Sequence, residues 1–139
     1  MARRTKMQLK TLGSQEHNER RWEVAFDEEF LPEFREFSEG VRRQTYSLIE
    51  ILRTFGPQLG RPRVDTLNGS KHSNMKVLRF DADDGVWRVA FAFDLKRNAI
   101  LLVCADKSGV STDKFYRNLI DIADRRFDRH QRELARKKE

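Results

Sequence analysis

The sequence predicts an α+β domain: a small, mainly antiparallel sheet, preceded by a helical hairpin and closed by a further helix. Three observations predict it. Between Met75 and Lys107, three strand-like runs are separated by two short polar breaks, the pattern of an antiparallel meander. Before the meander, apolar residues recur at helical spacing in two stretches, Phe30 to Phe37 and Val41 to Phe55. After it, Tyr116, Ile120, Ala123 and Phe127 line one side of a last helix at four- and three-residue steps.

The bulk properties narrow the class. A chain of 139 residues fits one domain. Charged residues make up 36% of it and the mean hydropathy is −0.76, so the surface is very polar. The net charge of +6 favours an anionic partner, either nucleic acid or an acidic protein. That charge sits at the ends. Residues 1–10 and residues 125–139 each carry +4, which leaves −2 for everything between. The single cysteine, Cys104, lies in an apolar run and reads as a small core residue. The three histidines, His17, His72 and His130, are far apart, and no Cys/His spacing suggests a metal site or calls for a cofactor. No apolar stretch is long enough for a bilayer and the N-terminus lacks a signal-peptide core, so a cytoplasmic protein with no membrane partner is expected.

In chain order, residues 1–20 are polar and basic and read as a flexible arm. Arg21 to Phe26 alternates loosely, as a short strand would. Asp27 then reads as an N-cap, with Glu28 and Glu29 in the first turn, where the helix dipole favours acids. From Asp27 to Glu39 there are six acids and one arginine, and Pro32 demands a bend or a restart. Ser38 can cap a second helix that Gly56-Pro57 ends near Phe55. Gln58 to Asn74, rich in Gly, Pro, Asn and Ser, reads as a loop. Asp83-Asp84-Gly85 and Lys96-Arg97-Asn98 supply the meander's turns. In the middle strand Trp87, Val89, Phe91 and Phe93 share one face, and Arg88, Ala90 and Ala92 the other. Ala99 to Ala105 is apolar on both parities and should be central, with the early Arg21–Phe26 strand on its free side. Ser111 or Thr112 can cap the closing helix, which should fray into a charged tail beyond Phe127. The expected division is therefore an arm over 1–20, one domain over 21–130 and a tail over 131–139.

The chemistry is carried by cations and one phenol. No Ser/His/Asp signature, carboxylate pair or phosphate-binding glycine loop is present. Arg79, Arg88, Lys107 and Tyr116 cluster near the strand ends, with Arg61, Arg63, Lys71 and His72 on the preceding loop and Lys76 at the start of the first meander strand. Such a set suits a phosphodiester. An arginine fork holds phosphate oxygens and stabilises charge that grows in the transition state, but it cannot act as a base near neutral pH. In RNA the attacking group can be the substrate's own 2′-hydroxyl, so positioning it in line does much of the catalysis. A tyrosine, lysine or histidine could then move protons. The plainer reading of Arg79 and Arg88 is a strand arginine paired with an acid.

The order of these elements resembles the RelE/ParE toxin superfamily, nearest to its HigB-like, phage-derived branch. The resemblance runs from about Trp22 to His130. It rests on two acidic-then-apolar helices, a G-R-P-x-V-D-T-L-x-G-S loop, an L-R strand, an R-V-A-F-A-F-D strand, an A-I-L-L-V strand ending in D-K, and a late F-Y helix. It implies a RelE-like fold and a toxin of a type II toxin–antitoxin system. The activity implied is metal-independent cleavage of messenger RNA at the translating ribosome, leaving a 2′,3′-cyclic phosphate. The partner implied is a cognate antitoxin, commonly a helix-turn-helix protein. By the same resemblance Arg88 faces the scissile phosphate, Arg79 is the arginine of the preceding strand, Lys107 is the basic residue ending the last strand, and Tyr116 matches the late tyrosine. Lys71, His72, Lys76, Arg61 and Arg63 would bind RNA, and His72 is a second candidate for proton transfer. The sequence departs from the pattern where Met75 and Val77 replace a lysine pair before Arg79, in the longer gap between Lys107 and Tyr116, and in the extended last helix. The same fold also admits a ParE-like inhibitor of DNA gyrase without catalysis, or an inert phage-derived binding protein.

Overall fold

Three of the sequence's apolar runs become adjacent strands of one sheet, and the rest of the chain covers its two faces. The computed structural model describes residues 21–137. The basic arm expected over residues 1–20, and the last two residues of the expected tail, lie outside the described residues. In chain order the elements are β1 (Glu23–Phe26), α1 (Phe30–Arg35), α2 (Glu39–Phe55), β2 (Val64–Thr66), β3 (Met75–Ala82), β4 (Gly85–Phe93), β5 (Asn98–Asp106) and α3 (Thr112–Lys137). The sheet order is β1-β5-β4-β3-β2. β1 runs parallel to β5, with Val24 beside Ala99, and the other neighbours are antiparallel. The α+β class, the meander and the place of the early strand are as the sequence indicates.

Local chemistry explains the boundaries. Asp83 and Asp84 have φ of 50° and 62°, so the β3–β4 hairpin turns through the left-handed region that short acidic residues tolerate. Ser38 caps α2 by accepting the Val41 amide at 3.2 Å. Gly56 ends that helix at φ +57°, and a Cβ there would lie 2.2 Å from Trp22 Nε1, so the backbone conformation and the packed indole both require glycine. The first helix is shorter than expected. The Asp27 carboxylate accepts the amides of Glu29 (2.9 Å) and Phe30 (3.3 Å), but helical structure spans only Phe30–Arg35. Pro32 falls in its first turn, where a missing N–H breaks no helical bond.

Two layers of side chains sandwich the sheet. Val89, Phe91 and Phe93 join Phe30, Phe34, Val41 and Leu52 of α1 and α2 on one side. On the other, Ala90 and Ala92 keep the surface low, so α3 settles close and buries Phe115, Leu119, Ala123 and Phe127. Each fully buried Leu or Phe there contributes about 1.5–3 kcal/mol. β5 feeds both layers, Ala99, Leu101 and Cys104 into the first, Ile100, Leu102 and Val103 into the second. Burial pushes the Cys104 thiol up to about 12, which suits an inert core residue.

Two expectations are corrected. The stretch read as a loop from Gln58 to Asn74 contains β2, which adds to β3 through Asp65 beside Val77. Three residues are too few for an alternation to stand out. The last helix does not fray after Phe127 but runs to Lys137. Its charges are used. β1 pairing ends at Phe26 beside Leu101, and the buried Arg126 guanidinium donates to the next carbonyl, Leu102 O, at 2.8 Å. Arg126 also bonds Glu33 at 2.6 Å, and Arg129 bonds Asp27 and Glu29, clasping α3 to α1 around the sheet edge. Among the described residues, no helix is long and apolar enough to cross a membrane.

Candidate active site

The β3–β4 register sets Arg79 directly opposite Arg88. Opposed residues in an antiparallel pair share a face, with Cα atoms about 4.5–5.5 Å apart. Like charges so placed repel, and the two side chains splay. Arg79 Nη2 donates to Asp65 Oδ2 at 3.2 Å on β2. Arg88 Nε donates to the Tyr116 hydroxyl at 3.1 Å, and its Nη1 to Trp87 O at 2.9 Å. Arg79 thus has an acid partner, as the plainer reading of a strand arginine would have it. Arg88 is held by a phenol and a carbonyl.

The remaining groups arrive from three directions. Asp65 also accepts from Arg61 at 2.9 Å. The Arg61 bond, then the Thr66 amide, hold its carboxyl below the usual range. Arg63 precedes β2 and accepts the Arg79 amide on its carbonyl at 2.9 Å, and strand alternation puts position 63 on the Asp65 side. Lys107 follows β5, its amide donating to Val86 O at 2.7 Å. Ala105 pairs with Arg88, so alternation carries position 107 to the Arg88 side as well. Tyr116 lies early in α3 beside Phe115, whose ring is buried against the sheet and meets it edge-on at 5.2 Å. Next to Tyr116 a groove of about 340 Å³ opens between α3 and the loop after β2, lined by Asn68, Gly69, Asp113, Arg117 and Ile120.

Three of the expected RNA-binding residues are not brought to this face. Lys76 pairs with Phe91 and therefore lies on the α2 side of the sheet. Lys71 and His72 are tied to Asp128, at 2.5 Å and 2.8 Å. Burial disfavours the charged form of that carboxyl, but the bonds from Lys71 and His72 outweigh burial and hold it below the usual range. Ser70 Oγ and the Lys71 amide are fastened to Asp124 in the same way, at 2.5 Å and 3.1 Å. Asp128 is twelve residues beyond Tyr116, about 18 Å along the helix. His72 is therefore a docking residue of the loop, too far from Arg88 to move a proton there. The carboxylate the sequence reading passed over is Asp65, hidden because the strand that presents it looked like loop.

The assembled face, with Arg61, Arg79 and Arg88 around one carboxylate and one phenol and positions 63 and 107 carried to the same side by strand alternation, can neutralise a phosphate and exchange a proton with it. Among the described residues no three His, Cys, Asp or Glu side chains converge as ligands for a metal ion.

Residues 32–128 match the family model described as "Phage derived protein Gp49-like (DUF891)". Two Mycobacterium tuberculosis (strain ATCC 25618 / H37Rv) proteins are similar in sequence. One, which bears the toxin name HigB2, is 44% identical over 96 residues, covering 66% of this chain and 47% of its own length. The other, which bears the toxin name HigB3, is 49% identical over 78 residues, covering 56% of this chain and 66% of its own. The chain thus spans about half of the first relative and about two thirds of the second. Among solved structures, a double arginine-to-alanine mutant of E. coli toxin RelE in the free state superposes with a TM-score of 0.53 at 14% identity, over 76% of this chain and 97% of that one. A likeness at that identity is one of fold.

Proposed function

The chain belongs to the phage-derived Gp49-like family, and on that premise we propose that it is the toxin of a toxin–antitoxin pair, a ribosome-dependent endoribonuclease that cuts messenger RNA without a metal ion. The observation that carries the reading is the opposed pair Arg79 and Arg88 on one face of the sheet, with the Tyr116 hydroxyl bonded to Arg88. The toxin names of two relatives at 44% and 49% identity, and the RelE-like fold, support it.

In the proposed reaction the scissile phosphate lies between Arg79 and Arg88, and Lys107 neutralises the charge that builds on its oxygens. The ribose 2′-oxygen loses its proton and bonds to phosphorus, while the bond from phosphorus to the 5′-oxygen of the next nucleotide breaks. The products are a 2′,3′-cyclic phosphate and a 5′-hydroxyl, so one proton leaves the 2′-oxygen and one joins the 5′-oxygen. The Tyr116 hydroxyl, which can both accept and donate, is the proton-transfer group beside Arg88. Arg61 and Arg63 hold the flanking backbone, and the groove beside Tyr116 gives a splayed base room. Residues 21–130 form the working unit. Its substrate places it in the cytoplasm. Its antitoxin, a helix-turn-helix protein, would silence it by covering the Arg79/Arg88 face or by holding α3 away.

The test is to induce the full chain and its Arg88→Ala variant and to map RNA ends. Wild-type chain should leave cyclic-phosphate and 5′-hydroxyl ends within translated messages and arrest growth. Arg88→Ala, with an unchanged circular dichroism spectrum, should do neither. A fully toxic Arg88→Ala variant overturns the site. A DNA-damage response with intact transcripts overturns the nuclease in favour of gyrase inhibition.

A further inference from the structure

The backbone that carries Lys107 is fastened at both its amide and its carbonyl. The amide donates to Val86 O on β4 at 2.7 Å, and the carbonyl accepts the Val110 amide at 3.2 Å. One neighbouring oxygen fixes the chain around it. Asp106 Oδ1 accepts the Val86 amide at 3.0 Å across the sheet and the Ser108 amide at 2.9 Å in the turn that follows. That carboxylate ties together β4, the end of β5 and the start of the loop to α3, with Lys107 at the junction. The Ser108 amide influences the carboxyl most and holds it below the usual range, against a smaller opposing effect of burial. An ionised acceptor makes both bonds stronger than a neutral one would.

Room for this carboxylate is built into β4. A Cβ on Gly85 would come within 2.8 Å of Asp106 Oδ2 and 2.7 Å of Trp87 Nε1, so no side chain fits there. The carboxylate does not neutralise the lysine beside it. Asp106 pairs with Trp87, which packs against the core beneath α1 and α2, whereas alternation puts position 107 on the Arg88 side. Among the described residues, no hydrogen bond or ion pair holds the Lys107 ammonium. Lys107 is thus half-buried and fixed at its backbone, with its charge uncommitted. Lys71 shows the opposite arrangement, an exposed lysine whose charge is taken up by Asp128. A fixed mount under an uncommitted cation suits a negative charge that develops during reaction, because the donor then needs no rearrangement.

We propose that Asp106 is a positioning residue of the phosphate site, fixing the backbone of Lys107 so that its ammonium meets the charge that builds on the phosphate oxygens. The proposal rests on the endoribonuclease reading. Asp106 touches no substrate group. It acts through Lys107, so its effect belongs in the rate of the chemical step and not in the binding of the message.

The test is a double-mutant cycle, read as single-turnover cleavage of a translated message on purified ribosomes by the full chain. Asp106→Ala should lower the maximal rate by up to about 10²-fold and leave the half-saturating concentration unchanged. Asp106→Asn keeps the Oδ1 acceptor and should restore most of the rate. In a Lys107→Ala chain, adding Asp106→Ala should slow cleavage no further. Amide hydrogen exchange at Val86 and Ser108 should accelerate in Asp106→Ala and not in Lys107→Ala, with circular dichroism unchanged in both. Equal cleavage by wild type and Asp106→Ala overturns the proposal alone. So does an equal slowing by Asp106→Ala with and without Lys107, an Asp106→Asn chain as slow as Asp106→Ala, or unchanged exchange at both amides. A wild-type chain that leaves the message intact overturns the endoribonuclease reading, and this proposal falls with it.

Discussion

Two groups of arginines, one on α3 and one on the sheet and the loop before it, differ in what they face. Arg125, Arg126 and Arg129 meet Asp27, Glu29 and Glu33, so cations and carboxylates are matched nearly one for one. Arg61 and Arg79 share a single carboxylate, Asp65, and Arg88 takes a phenol and a carbonyl instead. The residue type is the same in both places. The first group has internal counter-ions and is a clasp. The second keeps a surplus of positive charge on two adjacent strands, at a cost in repulsion that Asp65 offsets in part and a bound anion would offset further. Partners, not arginines, distinguish a structural cluster from a site.

The comparison breaks if the clasp turns out to be dispensable. Arg126→Ala removes a guanidinium that is only 5% exposed and leaves Asp27 and Glu33 short of a counter-ion. Loss of one partner from a buried ion network costs about 3–5 kcal/mol, which urea unfolding should show directly. Cleavage per folded molecule should be unchanged. Arg88→Ala should give the inverse pattern. Removing one preorganised donor from a developing charge costs about 10²–10³ in rate, while stability should stay within about 0.5 kcal/mol because no ion pair is lost. If both variants lose stability and neither loses rate selectively, the two clusters are of one kind.

Much of the scaffold was legible because periodicity reports burial. The alternating Trp87, Val89, Phe91 and Phe93 and the doubly apolar Ala99 to Ala105 each point to one place in a sheet. Turn chemistry marked Asp83-Asp84 and Gly56 for the same reason, since few residues tolerate those dihedrals. Tertiary partners were not legible. The acidic run from Asp27 to Glu39 and the basic run after Asp124 are ninety residues apart, and nothing local says that they meet. Reading the second as a fraying tail followed from that. Lys76 and His72 lie away from the Arg79/Arg88 face on similar grounds. One is a single register step from the correct face, and the other is held by carboxylates on a helix whose docking no local pattern specifies.

Smaller effects sharpen the contrast within each region. Tyr116→Phe removes the hydroxyl that Arg88 Nε donates to. If that hydroxyl moves a proton, single-turnover cleavage should fall by about 10². A loss of only about tenfold would assign it to orienting Arg88, the worth of one hydrogen bond. On the clasp side, Asp94 offers an acid-pH readout. Burial opposes its charge, but bonds from His130, the Asn98 and Lys96 amides and the Asn98 side chain outweigh burial and hold its carboxyl below the usual range. A folded value lower than the unfolded one gives stability that is complete above about pH 4 and is lost as pH falls through the folded value. Asp94→Asn should therefore cost about 1–3 kcal/mol at neutral pH and flatten this part of the acid dependence, which melting temperatures from pH 2 to 6 would report.

The smallest expected change in fold sits at the one carboxylate inside the cationic face. Asp65 is held ionised by Arg61 and the Thr66 amide and competes with any phosphate for Arg79. Asp65→Asn should leave the melting temperature unchanged, because the pair is open to solvent and surface pairs contribute little. Binding of a single-stranded RNA should tighten severalfold at low salt. Its logarithmic salt slope should steepen by up to about one, since a freed guanidinium adds one phosphate contact. The gain should vanish at high ionic strength, where that contact is screened. Weaker binding instead would mean that Asp65 aims Arg79 at the phosphate, and the surplus of positive charge would then be a built pocket rather than an open one.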